Sequence, residues 1–246
     1  AEDGIRDLVR SRGLGDVYKR QLEVIRRAAG EFRTIALACE PHFLKQVGEE
    51  ARDQGFDLAE HHVVAVTGSE YIAESQRRYL VKLLGRDTSA GPSPVVSTYG
   101  ITEVGLAVCF ETQDLIALRS RFTDSEECKA RCCGPEVKSV PHLMHYLPSG
   151  YYLETVAGPN GRSELCVTAL SPDRLIPVIR YRTGDEAELI SAARFTQLLE
   201  KNGIILSAGH FRALPVCLLR GRARRLSAAG TVSYTHLRAH ETVLDL

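Results

Sequence analysis

The sequence predicts an α/β fold in which a parallel sheet with flanking helices leads into a mostly antiparallel β subdomain. Short apolar strands alternate with amphipathic helices in the first part of the chain, as parallel sheets require. After Gly105 strand-like runs dominate, with no long helix between them. The composition, 44% apolar and 25% charged over 246 residues, is that of a globular protein.

The elements follow in order. The run TIALAC at 34–39 reads as a buried strand, and Phe43, Leu44, Val47 and Ala51 then share a helical face that Gly55 stops. The β-branched run 63–67 repeats the strand, and Gly68, Ser69 and Glu70 form a turn. Ile72, Ala73, Tyr79, Leu80, Leu83 and Leu84 line a second helical face before Gly85. A Gly/Pro/Ser loop at 85–94 leads to a third strand, 95–99. Runs at 106–110, 115–118, 151–156, 164–169, 175–181 and 187–190 then read as strands, with Gly158-Pro-Asn-Gly161 as a hairpin turn. A helix over 193–201 stops at Asn202-Gly203, and 214–219 is a final apolar strand.

The balance of charge and apolar residues narrows the function classes. With 31 basic and 31 acidic residues the formal net charge is zero, which excludes a chain built mainly for nucleic acid or anionic membrane. Its apolar runs are too short to span a bilayer. Seven cysteines, an odd number, with no apolar leader core favour a reduced cytoplasmic setting. The chain begins at Ala1 and its one methionine is Met144, which reads as a fragment. Residues 1–21 and about 231–246 resemble translated sequencing-adaptor read-through of the kind found in assembled metagenomic reads. Both are set apart from fold reasoning, and His236 and His240 go with them. The remaining chain divides into an α/β nucleotide-binding part, 22–105, and an antiparallel part of the same large domain, 106–230.

The most specific local feature is Ser97-Thr98-Tyr99-Gly100-Ile101-Thr102-Glu103, at the carboxyl end of a parallel strand, where open α/β sheets bind ligands. Tyr99 can pack on a base and Gly100 lets backbone approach. Thr102 can bond a phosphate oxygen and Glu103 can hold a hard cation. Two further strand-end turns accompany it, Gly68-Ser69-Glu70 and Arg180-Tyr181-Arg182-Thr183-Gly184-Asp185, the latter with a carboxylate able to take two ribose hydroxyls. With VTGSE at 66–70, STYGITE at 97–103, IRYRTGD at 179–185 and EPHFLKQV at 40–47, the chain resembles the adenylate-forming superfamily over roughly 30–222. The resemblance is strongest to its branch of phenylacetate-CoA ligase-like, coenzyme F390 synthetase-like and capsule-biosynthesis-like proteins.

That resemblance implies a partial N-terminal domain of an acyl-CoA synthetase-like fold, and a two-step reaction. A carboxylate attacks the α-phosphate of ATP to give acyl-AMP and pyrophosphate, and a thiol, usually coenzyme A, then takes the acyl group. It implies that Gly68, Ser69 and Glu70 lie along the adenine, that Tyr99 stacks on it with Ser97 and Thr98 nearby, and that Asp185 holds the ribose. Thr102 is implied to contact the α-phosphate and Glu103 the Mg²⁺. Gly221-Arg222 matches the start of the family's hinge motif, whose arginine reaches the nucleotide. The partners implied are coenzyme A and a small carboxylic acid, with aromatic acids the family-based expectation.

The departures are equally specific. The family's Gly- and Ser/Thr-rich phosphate loop is expected upstream of residue 22 and no such tract occurs; the hinge aspartate position holds Arg224; the small domain with the catalytic lysine has no counterpart in the sequence. The expectation is a polypeptide of ligase parentage without turnover.

A competing cluster, Cys128, Cys132 and Cys133 with His142 and His145, has borderline-soft ligands within a short span. It leaves open a structural zinc site, against free cysteines in a variable insertion. Cys39, Cys109, Cys166 and Cys217 fall in apolar strands and read as core. His61-His62 read as a loop, and Arg220, Arg222, Arg224 and Arg225 as a solvated basic run apart from Arg222. No G-x-S-x-G elbow is present to start a hydrolase triad. The alternative function is a non-catalytic nucleotide-binding or zinc-stabilised module.

Overall fold

The computed structural model describes residues 14–87, 91–158, 161–171, 174–205 and 213–222. Helix α1 (Leu14–Glu31) buries Leu22 and Ile25, which lie three apart on one face. Tyr18, one turn before Leu22, joins them, its ring centroid 5.4 Å from that of Phe43. The helix passes residue 21 without a break.

Strand β1 (Thr34–Cys39), helix α2 (Pro41–Asp53) and strand β2 (His62–Thr67) form the first predicted unit. Helix α2 opens on a proline, whose missing N–H costs nothing in the first turn, and buries Leu44, Val47 and Ala51. Helix α3 (Glu74–Leu83) then leads to strand β3 (Val95–Ile101). These three strands are parallel, with Thr34 opposite His62 and Ala65 opposite Val95. The inner face of α3 differs from expectation. Tyr79 points outward to donate to Glu49 Oε1 at 2.7 Å, while Glu74 and Arg77 are buried among Leu80 and Val81. Apolar periodicity missed this because the inward positions hold an ion pair.

Strand β3 changes partner midway. Residues up to Ser97 pair in parallel with β2, and from Thr98 onward the strand pairs antiparallel with β4 (Gly105–Phe110). Beyond it come β5 (His142–Tyr146), β6 (Tyr151–Ala157), β7 (Ser163–Ala169), β8 (Tyr181–Ile190) and β9 (Val216–Arg222). Among the described residues the sheet has nine strands in the order β1-β2-β3-β4-β5-β9-β8-β7-β6, and every pairing past β3 is antiparallel. The β6–β7 hairpin closes where the glycine turn was read, Gly158 N–H donating to Arg162 O at 2.7 Å. Pro159 and Asn160 lie outside the described residues.

Two predicted strands are corrected. Residues 115–118 belong to helix α4 (Gln113–Asp124), because Leu115, Leu118 and Phe122 are buried at helical spacing. A four-residue apolar run suits either element, and only the residues beyond it decide. Helix α5 (Glu126–Cys133) follows, with Ser125 Oγ accepting from Cys128 N–H at 3.2 Å, so two helices stand between β4 and β5 where no long helix was expected. The run 175–181 is a strand only from Tyr181. Leu175, Ile176 and Ile179 are exposed and Pro177, which has no N–H to give a ladder, interrupts them. Residues 187–190 are the end of the long β8. Helix α6 (Ala192–Lys201) is capped by Ser191, as the apolar pattern had placed it.

Among the described residues three apolar clusters hold the fold. One lies among α1, α2, α3 and the parallel strands, one among the antiparallel strands, and one joins α4 and α6 to β5 and β9. Among the described residues no helix is long and apolar enough to cross a membrane.

Candidate functional site

The segments read as nucleotide-binding meet at the joint in β3. Thr67, the last residue of β2, bonds Ser97 Oγ through its own Oγ1 at 2.9 Å and donates to Val96 O at 3.2 Å, which ties the two strand ends together. Gly68 follows directly, and Thr98 Oγ1 would be only 3.4 Å from a Cβ added there. Ser69 takes a left-handed backbone, φ +70°, uncommon for a residue with a Cβ and recurrent at functional turns. Ser69 and Glu70 are exposed.

Strand β3 then carries Tyr99 into contact with a residue 86 positions away. Its hydroxyl donates to Asp185 Oδ2 at 2.6 Å, and its ring packs half-buried against the antiparallel cluster. Burial, and then the Asp185 carboxylate, push the phenol well above its usual range, so Tyr99 stays a neutral donor. Next to it the backbone bulges between Tyr99 and Ile101. Gly100 is required there: a Cβ would meet Leu106 O at 2.5 Å and Gly105 O at 2.8 Å, both backbone atoms. A turn closed by Val104 N–H to Ile101 O, 2.8 Å, presents Thr102 and Glu103 to solvent.

Asp185 lies inside β8, not at the end of a strand as the sequence suggests, within an irregularity against β7 between Arg182 and Glu186 and just before one against β9 after Glu186. Gly184, φ +75°, makes the turn, and its N–H donates to Glu164 Oε1 at 3.0 Å. Glu164 also pairs with Arg182, and Thr183 Oγ1 donates to Leu165 O at 3.2 Å while accepting from Asp185 N–H at 3.0 Å. Glu164 is thus a supporting residue that sequence reading missed; its only signal was a carboxylate within an apolar strand. Across the ladder Asp185 stands opposite Arg222 in backbone register. Arg224 and Arg225 lie outside the described residues, as do His236 and His240.

The structure therefore brings together Gly68, Ser97, Thr98, Tyr99 and Asp185, leaving Ser69, Glu70, Gly100, Thr102 and Glu103 exposed at the rim. Thr102 and Glu103 offer hard oxygen donors on one solvent-facing turn, a donor set whose chemistry fits a hard cation such as Mg²⁺.

The cysteine and histidine cluster does not assemble. Among the described residues no group of three His, Cys, Asp or Glu side chains is placed to hold a metal. Cys128, Cys132 and Cys133 pack against the cluster around α4. His142 Nε2 lies 3.1 Å from Glu111 Oε1, whereas His145 Nδ1 faces Pro215 O at 3.2 Å. The two histidines are three apart on a strand, so their side chains take opposite faces. Burial pushes the Cys132 thiol up to about 11 and the Cys133 thiol up to about 12. All seven cysteines are free.

No family model matches the chain, and no curated protein does. Among solved structures it is similar to a 2-hydroxyisobutyryl-CoA ligase in an open conformation with 2-HIB-AMP and CoA. The TM-score is 0.51 and the identity 12%, over 88% of this chain and 40% of that one. A coronafacic acid ligase from Pectobacterium brasiliense aligns at TM-score 0.44 and 16% identity, over 82% of this chain and 32% of that one. A malonyl-CoA ligase with methylmalonyl-CoA and AMP bound aligns at 0.39 and 14%, over 85% and 36%. The likeness to the first is one of fold: a mixed α/β chain whose parallel N-terminal strands and flanking helices match that architecture. The chain spans 40% of the length of the first.

Proposed function

We propose that the chain is part of an AMP-forming carboxylate:CoA ligase of the phenylacetate-CoA ligase-like kind, acting on an aromatic or other small carboxylic acid. The supporting observation is the Tyr99 hydroxyl on Asp185, which joins the STYGITE and RTGD segments at the strand end beside the GSE turn. On this reading the turn at Gly68, Ser69 and Glu70 and the ring of Tyr99 flank the adenine, with Ser97 and Thr98 behind them. Asp185 accepts from the ribose hydroxyls, and Arg222, opposite it in the ladder, belongs to the same nucleotide edge.

Thr102 would donate to the α-phosphate, where charge grows as the carboxylate attacks. Glu103 would hold Mg²⁺, which supplies neutralisation of the leaving pyrophosphate. Tyr99, kept protonated by burial and by Asp185, orients that carboxylate toward the sugar without itself taking part in proton transfer. In the whole enzyme the acyl group would then pass to coenzyme A. The 246 residues contain no Gly/Ser/Thr-rich phosphate tract, so this polypeptide is proposed to bind the nucleotide without turnover.

The test is titration with a non-hydrolysable phenylacetyl sulfamoyl-adenosine. Saturable binding, lost in both Asp185→Ala and Tyr99→Ala chains that remain folded, is expected. Absence of binding by the wild-type chain would refute the nucleotide reading, and ATP–pyrophosphate exchange by it would refute the lack of turnover.

A further inference from the structure

Behind the strand end at Ser97, Thr98 and Tyr99 lies a buried ionic cluster. Glu111, directly after β4, has no exposed side-chain surface. Its two oxygens accept from Arg77 Nη2 at 2.6 and 2.7 Å, and Oε1 accepts from Arg119 Nη1 at 2.8 Å. Oε2 also accepts from the backbone N–H of Ser97 at 2.8 Å, and Glu111 N–H donates to Ser97 O at 2.9 Å. Ser97 is therefore held at both of its backbone polar groups by one residue, immediately before β3 changes partner.

The other arm of the cluster reaches the second base-flanking segment. Arg119 Nη2 donates to Ile72 O at 2.8 Å, and its guanidinium lies over the ring of Tyr71, 5.5 Å from the centroid. Tyr71 follows Glu70 directly, and its hydroxyl donates to Val140 O at 2.8 Å. Arg77 completes the brace by donating to Val95 O at 2.7 Å and to Glu74 Oε2 at 3.3 Å. One carboxylate and two guanidiniums thus connect the residue after the GSE turn to the residue that opens STYG. A buried ion cluster of this kind is weak evidence for stability, since apolar packing often does as well. What apolar packing lacks is fixed direction, and here every bond is aimed at backbone or at another member.

We infer that Glu111 and Arg119 are positioning residues that set the spacing between the turn at Gly68, Ser69 and Glu70 and the strand end at Ser97, Thr98 and Tyr99, and so the width of the slot for the base. The inference rests on the proposed nucleotide site, and it is read in two independent ways.

The full chain carrying Glu111→Gln is compared with wild type and with Leu199→Ala, a destabilising change in the cluster around α4 and α6 that touches neither segment. AMP is the probe, and amide hydrogen exchange of 69–72 and 97–101 is followed alongside. Glu111→Gln is expected to weaken AMP binding about tenfold and to speed exchange at both segments by about tenfold, as loss of a hydrogen bond to a charged group implies. Leu199→Ala lowers the melting temperature without either effect. If Glu111→Gln does not fold, Arg119→Lys, which keeps the charge but loses the fork, is read in the same way. Equal AMP affinity and unchanged exchange in a folded variant overturn the inference, as does a change no larger than that of Leu199→Ala. Wild-type chain that does not bind AMP refutes the nucleotide reading, and the exchange data alone then decide the positioning role.

Discussion

Replacing Tyr99 by Phe removes one oxygen from the site and leaves the ring in its cluster. The lost bond is short, 2.6 Å, and its acceptor is a carboxylate. Hydrogen bonds to charged groups contribute about 1.5–3 kcal/mol, and the half-buried position argues for about 1.5–2 kcal/mol here. For a chain of this size that corresponds to a fall in melting temperature of about 3–8 °C. The same bond has a pH signature. The folded state holds the phenol protonated above its usual pKa, whereas the unfolded chain releases the proton near pH 10. Above that pH the folded state binds more protons, so stability falls with rising pH, by about 1.4 kcal/mol per unit from this group. Tyr99→Phe lacks that component. Urea unfolding at pH 7, 9, 10 and 11 is expected to show the two chains differing by about 1.5–2 kcal/mol at neutral pH and converging as pH rises. A difference that stays constant through pH 11, or one below about 0.5 kcal/mol at pH 7, would refute the reasoning. A cycle with Asp185→Asn should be non-additive, since both changes break the same contact.

Three further outcomes are expected. Gly100→Ala should cost at least about 2–3 kcal/mol in urea unfolding, because the added methyl meets rigid backbone at 2.5 Å and the bulge has to open; a neutral result would show that the strand end yields. Ser69→Gly should raise stability by about 0.5–1 kcal/mol by relieving the left-handed backbone at φ +70°, measurable as a higher melting temperature. Glu111 is raised by burial but drawn down further by His142, Arg77 and Arg119, to about 2, so its contribution is complete above the unfolded carboxylate pKa and is lost as pH falls toward 2. Acid titration followed by circular dichroism should therefore show wild-type chain losing about 3 kcal/mol more than Glu111→Gln between pH 5 and 2, from 1.36 kcal/mol per unit.

Local patterns made much of the first half legible. Strands β1, β2 and β3 were apolar runs of strand length, and α2 and α6 showed their buried faces at helical spacing. The segments of the candidate site were visible for a similar reason: glycine beside an aromatic, hydroxyl or carboxylate residue is a short-range signature, although Asp185 falls within β8 and not at a strand end. Helix α4 was misread because its apolar run is short and its inner face includes Arg119. The same blindness hid Arg77, Glu111 and Glu164, since a charge in an otherwise apolar stretch reads as solvent-facing until its partner is known. Strand β5 was overlooked because histidines occupy two of its five positions.

Local sequence settles that parallel βα units come first and that strands follow, and it shows three polar segments carrying glycine beside hydroxyls or carboxylates, because each depends on residues within a few positions of one another. The tertiary structure decided what joins them. Tyr99 finds Asp185 across 86 residues, and β3 exchanges a parallel neighbour for an antiparallel one at Ser97. Glu111 gathers two arginines from different helices beneath both. Such contacts between distant segments leave no periodic trace in the sequence, and their strength comes from burial, which only the folded chain supplies.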